Sequence, residues 1–113
     1  MPQSPIFGIT LPVAFRRVRD GDTIVVALAS PLEFPVRLRN VDCPELPTPE
    51  GRHAAAYVRQ RLAKAKSLVL CLGLPDASNL FGGLSFDRVV GDLWVDGSNL
   101  AEELVRKGFA RRA

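Results

Sequence analysis

Asp20-Gly21-Asp22-Thr23-Ile24-Val25-Val26-Ala27-Leu28-Ala29-Ser30-Pro31 decides the fold of this chain. Asp-Gly is a tight-turn dipeptide, because glycine accepts the backbone conformation that a short hairpin connection demands. The β-branched run after it ends at a second turn signal, Ser30-Pro31, so it reads as a strand. Upstream, Val13 to Arg19 reads as its partner. Downstream, Phe34, Val36 and Leu38 alternate with Pro35, Arg37 and Arg39. That period of two sends the apolar set to one face and both arginines to the other. Arg37 is therefore expected outside the core, where a ligand can reach it, and Pro35 marks an edge or a bulge. Three strands joined by tight turns must be antiparallel neighbours.

Further along, Thr48-Pro49 has the form of an N-cap and first helical position. Ala54, Val58, Leu62 and Ala65 recur at helical spacing, which predicts a helix from Pro49 to about Ala65. Ser67 to Leu72 reads as a strand, Gly73 to Gly83 as a loop, and Leu84 to Val95 as the last strand, closed by the turn Asp96-Gly97. Asn99 with Glu102 forms a capping box for a helix to about Lys107, with Gly108 as its stop. Residues 1–11, punctuated by prolines, read as a tail or an irregular edge segment. The order of three strands, helix, two strands, helix gives a mainly β chain with α (α+β). The expected architecture is a five-stranded Greek-key β-barrel of the OB type with two helices.

The 113 residues fit a single domain spanning 1–113. A hydrophobic share of 47% excludes wholesale disorder. Fifteen Lys and Arg against twelve Asp and Glu give a net charge of +3, too mild by itself to argue for a polyanionic partner. The distribution says more. From Arg52 to Lys66 the ionisable side chains include no acid; Arg16, Arg17 and Arg19 form a second basic run, and Arg106, Lys107, Arg111 and Arg112 a third. Cys43 and Cys71 make neither a disulfide framework nor a zinc set. The N-terminus lacks the form of a signal peptide. No apolar run approaches the roughly 18 residues of a membrane span.

Asp22, Asp42 and Glu45 are hard-oxygen groups beside strand ends, with Arg37 close behind. Carboxylates suit a hard divalent cation, a guanidinium fork suits a phosphate, and a spare carboxylate can handle a water proton. The pattern outlines a metal-dependent phosphodiesterase. Taken singly, each Asp is ordinary turn chemistry; the ordered set carries the reading.

From about Phe15 to Ala110 the chain resembles the staphylococcal nuclease-like (thermonuclease) family. The resemblance rests on Asp20-Gly21-Asp22-Thr23, on Val36-Arg37-Leu38 through Val41-Asp42-Cys43-Pro44-Glu45, and on Gly51 with Ala54. It continues in Phe86-Asp87-Arg88 through Val95-Asp96-Gly97, with Asn99-Leu100-Ala101-Glu102 and Leu104-Val105 following. It implies an OB-type barrel and a Ca2+-dependent nuclease that cleaves DNA or RNA to 3′-phosphate ends. Asp22 and Asp42 match the family's calcium carboxylates, and Cys43 matches a residue whose backbone carbonyl is a further ligand. Glu45 matches the carboxylate that activates the attacking water, and Arg37 and Arg88 match the two arginines that brace the phosphate. Asp20 is implied as an outer acid of the metal site, and Phe86 falls where a base-stacking aromatic is common.

Counting back from Asp96-Gly97 places Arg88 on the family's arginine without a gap. A rival alignment needs a gap and leaves Gly91 there. The chain ends at Ala113, before the family's substrate-contacting tyrosines and last C-terminal helix, and the segment from Glu45 to Gly51 is short. These departures keep a second reading open: an OB-fold module with weak or no catalysis that binds single-stranded nucleic acid or a protein partner. The partner implied is DNA or RNA and not a membrane. Monomer and homodimer stay open. The default compartment is the cytoplasm, although many family members are secreted.

Overall fold

The computed structural model describes residues 9–29, 32–72 and 89–113. In chain order the elements are β1 (Ile9–Pro12), β2 (Ala14–Asp20), β3 (Thr23–Ala29), β4 (Leu32–Leu38) and β5 (Val41–Asp42), then α1 (Pro49–Ala63) and β6 (Leu68–Leu72). β7 (Val89–Val95), β8 (Ser98–Asn99), α2 (Leu100–Arg106) and β9 (Arg111–Arg112) complete the set. The fold is mostly β with two helices and a mixed sheet, an α+β arrangement consistent with an OB-like fold.

The antiparallel trio β2, β3 and β4 forms as the turn residues require, with Ile24 opposite Val18 on one side and Val36 on the other. β4 then pairs in parallel with β7, Val36 opposite Val89. A parallel pair needs a long crossover, and here it carries α1 and β6. β6 lies antiparallel to β7 on one flank and to β1 on the other. The ladder path therefore runs β1-β6-β7-β4-β3-β2. Its two ends are neighbours in sequence, parted only by Val13, whose N–H donates to Leu68 O at 3.0 Å.

Residues 9–11 lie within the stretch expected to be a tail or irregular edge, yet with Pro12 they form β1. Three strand-forming residues ahead of a proline give too short an alternation to read, and pairing with β6 supplies the order. Pro35 sits in a central strand and not on an edge. Its register partner on the β3 side is Val25. The arms of the loop expected between Gly73 and Gly83, and the first part of the strand expected from Leu84, lie outside the described residues.

Ala54, Val58 and Leu62 form one buried stripe of α1 against Ile24, Val26, Val36, Leu38, Leu70 and Leu93. Thr48 caps α1 by accepting from Gly51 N–H at 3.0 Å, with Pro49 in the first turn. The helix stops at Ala63, one turn's fraction before the expected Ala65, because Lys64 already has the C-cap conformation. Leu100 and Leu104 of α2 close the core, and Asn99 caps that helix by accepting from Glu102 N–H. Each such Val or Leu burial contributes roughly 1.5–3 kcal/mol. None of the described helices is long and apolar enough to cross a membrane.

A polar strut ties the helices together. Glu103 of α2, buried at 7% exposure, accepts from Tyr57 Oη at 2.8 Å and from Arg61 Nε at 3.0 Å. Arg61 also donates to Val95 O, and the Tyr57 ring stacks on Phe109 with centroids 4.7 Å apart. Tyr57 thus has an anchored hydroxyl. Burial, and then the bond to Glu103, pushes its phenol up to about 12.

Candidate functional site

The site forms where the β2–β3 turn, the end of β4 and β5 meet the first turn of α1. Gly21 is what lets them meet. A Cβ on Gly21 would stand 2.9 Å from both Ala54 Cβ and Cys43 Sγ, so only glycine allows the turn to press against α1 and the β5 exit. Asp22 follows it and is buried, at 8% exposure. Its Oδ2 accepts from Cys43 N–H at 2.9 Å and its Oδ1 from Thr23 Oγ1 at 3.3 Å. One carboxylate therefore fastens the turn to the segment after β5.

Arg37 reaches into this junction from β4, on the face opposite Val36 and Leu38. Its Nη1 donates to Leu38 O and Val41 O, both at 2.7 Å. Its Nη2 donates to Asp42 Oδ1 at 2.5 Å and lies 3.5 Å from Asp22 Oδ2. The two carbonyls aim the guanidinium, and the two carboxylates neutralise it. Between Arg37 and β5, Asn40 takes a left-handed backbone, φ 65°, which asparagine tolerates. Asp42 is thereby turned back toward β4.

A pocket of about 440 Å³ opens over this cluster, lined by Asp20, Asp22, Arg37, Asp42, Cys43 and Glu45, with Thr23, Pro44 and Arg111. The Glu45 carboxylate makes no hydrogen bond or ion pair among the described residues, while its carbonyl accepts from Thr48 N–H and Oγ1. The Cys43 thiol is buried and free, and burial, followed by the negative charge of Asp22, pushes it up to about 12. Its sulfur is inert at neutral pH, which leaves its backbone as the group available to a ligand.

The structure thus brings together Asp20, Asp22, Arg37, Asp42, Cys43 and Glu45. Arg88 and Phe86 lie outside the described residues. His53 is exposed at the start of α1. Arg111 is the residue the sequence reading missed at this site. Strands of two residues carry no periodicity, so nothing in the sequence announces that β9 pairs with β5 and sets Arg111 opposite Asp42.

The donor set fits a hard cation: carboxylate and carbonyl oxygens with room for water. Among the described residues no three acidic, Cys or His side chains are gathered closely enough to hold a metal by themselves. Asp22 and Asp42 with the Cys43 carbonyl would need water or a substrate oxygen to complete a coordination shell.

Residues 35–113 match a family model described as staphylococcal nuclease homologue. A search of curated proteins returned no match.

Proposed function

This chain belongs to the staphylococcal nuclease homologue family, and on that premise we propose that it is a Ca2+-dependent nuclease hydrolysing phosphodiester bonds of DNA or RNA to 3′-phosphate ends. The observation that carries the proposal is the convergence of Arg37, Asp22, Asp42 and Glu45 on one pocket. A polyanion binder gains nothing from three carboxylates in its groove, whereas a cation-using phosphodiesterase needs them.

Asp22, Asp42 and the Cys43 carbonyl would hold the Ca2+, with Asp20 as an outer acid. When bound, the cation withdraws charge from a non-bridging phosphate oxygen. Arg37 can exchange its Nη2 partner, Asp42, for a phosphate oxygen while Nη1 keeps its two carbonyl tethers. A preset donor of this kind favours the extra charge of the transition state over the ground state. Glu45, uncommitted among the described residues, takes the proton of the attacking water. Arg88 supplies the second arginine of the clamp and Phe86 a stacking surface for a base. We read the scaffold as a five-stranded OB-type barrel: the sheet's ladder path is open, and what supports the reading is that its end strands β1 and β2 are contiguous in the chain through Val13, whose N–H donates to Leu68 O.

The test is degradation of single-stranded DNA by pure protein at high concentration, with Ca2+ and with EDTA. Ca2+-dependent products ending in 3′-phosphate support the proposal; their absence overturns it. Salt-sensitive binding without cleavage, and without a Ca2+ effect on stability, would favour the second reading of a binding module. The exposure of Asp42 and the basic residues around the pocket are compatible with that module as well.

A further inference from the structure

We propose that the cleft beside the acidic pocket, between Asp42-Cys43-Pro44 and Phe109-Ala110-Arg111, is a subsite for one nucleoside of a single strand, with Arg111 holding the neighbouring phosphate. The proposal rests on the nucleic-acid reading above and extends it to a second binding position.

Three observations carry it. The cleft, about 420 Å³, shares Asp42, Cys43, Pro44 and Arg111 with the pocket over Arg37, so the two adjoin. A volume of that size accommodates a small planar ligand with room for its sugar. Second, the lining changes character from pocket to cleft. The pocket is walled by acids and Arg37, whereas the cleft adds Gly108, Phe109 and Ala110. Phe109 is a fixed wall because Tyr57 stacks on it. The mouth is open at Gly108, where a Cβ would meet nothing within 4 Å. A strand presents the same alternation, a charged phosphate followed by a flat apolar base.

Third, Arg111 is placed and uncommitted. It stands directly opposite Asp42 in the β5–β9 pair, and residues so paired project to the same face. Asp42 is already bound by Arg37, and the Arg111 guanidinium makes no hydrogen bond or ion pair among the described residues. Its neighbour Arg112 is instead tied to Glu102 by two bonds of 2.9 and 2.7 Å. An exposed guanidinium at the junction of a polar pocket and an apolar cleft suits the phosphate between two nucleosides.

The test is binding of a labelled oligothymidylate whose phosphorothioate linkages slow cleavage and keep the charge, in Ca2+ and across a salt series. Arg111→Gln is expected to lower the slope of log affinity against log salt by about 0.7, the share of one single-strand phosphate contact. Ala110→Leu, which fills the cleft, is expected to weaken binding about tenfold, the scale of one lost base contact. That loss should vanish against an oligonucleotide carrying an abasic residue at one position, and the Arg111→Gln loss against one with a single neutral methylphosphonate. Losses that persist undiminished on every ligand would mark general damage and overturn the subsite. Wild-type binding that neither variant alters would overturn the subsite and leave the nucleic-acid reading standing. No binding by the wild type would overturn both.

Discussion

Arg37 and Asp42 are five positions apart across a left-handed turn, and their side chains close on each other at 2.5 Å. The same guanidinium leans on Asp22 at 3.5 Å. The arginine thus sits as counter-cation to both acids proposed to hold Ca2+.

Replacing Arg37 with Ala should therefore divide two properties that usually fall together. Ca2+ affinity, measured by calorimetric titration, is expected to rise, because Asp42 loses a competing cation. Cleavage is expected to fall at least ~100-fold with the loss of the proposed transition-state donor. The fold should lose about 2–4 kcal/mol, since Asp22, Leu38 O and Val41 O lose a partner in a largely buried setting. Unchanged or weaker Ca2+ binding would remove Arg37 from this competition.

Glu45→Ala should show the opposite economy. Its exposed carboxylate has no partner among the described residues, so the thermal midpoint should stay within the effect of about 0.5 kcal/mol typical of a surface change. Activity should drop by about 100-fold or more if it serves as the base. A fully active variant would strip it of that role.

Gly51→Ala tests how Glu45, the carboxylate proposed to handle water, is positioned. A Cβ there would overlap the Glu45 carbonyl oxygen and lie 2.6 Å from its carbon. Backbone must move, so we expect a loss of roughly 1–3 kcal/mol together with reduced cleavage. Thermal melts and rates on the same preparation check both; a neutral outcome would mean that the Glu45 segment yields without consequence.

Tyr57 is the one tyrosine of the chain, so absorbance near 295 nm reads it alone. Its midpoint in the folded protein should lie near 12. Folding raises this pKa above its ordinary value near 10, so the stabilisation is complete below about 10 and is lost as pH rises toward 12. Glu103→Gln should lower the midpoint by removing the charged acceptor. A folded-state midpoint near 10 in the wild type would contradict the strut.

The strands and helices were readable where local chemistry and burial agree. Thr23–Ala29 is bounded by turn residues and half-turned to the core, and Pro49 with Ala54, Val58 and Leu62 shows both cap and stripe. The acids and Arg37 were readable because they abut those boundaries. What escaped depends on long-range pairing. β1 exists because β6 lies beside it, and Arg111 reaches the pocket only through a two-residue bridge to β5. No local pattern encodes either. The partners that Arg37 finds among carbonyls and carboxylates likewise follow from Asn40 turning Asp42 back, which a strand-alternation argument does not contain.

The pairing of Asp42 with Arg111 also has a temporal side. A ribosome delivers Asp22, Arg37, Asp42 and Glu45 before the strand that pairs with β4 and the arginine that borders their pocket. Long-range pairings form slowly, because the chain between them must first be ordered. A nascent chain would thus display the acids before the walls that enclose them, so any cutting activity toward the cell's own RNA would arise only after residues beyond Arg111 have left the ribosome.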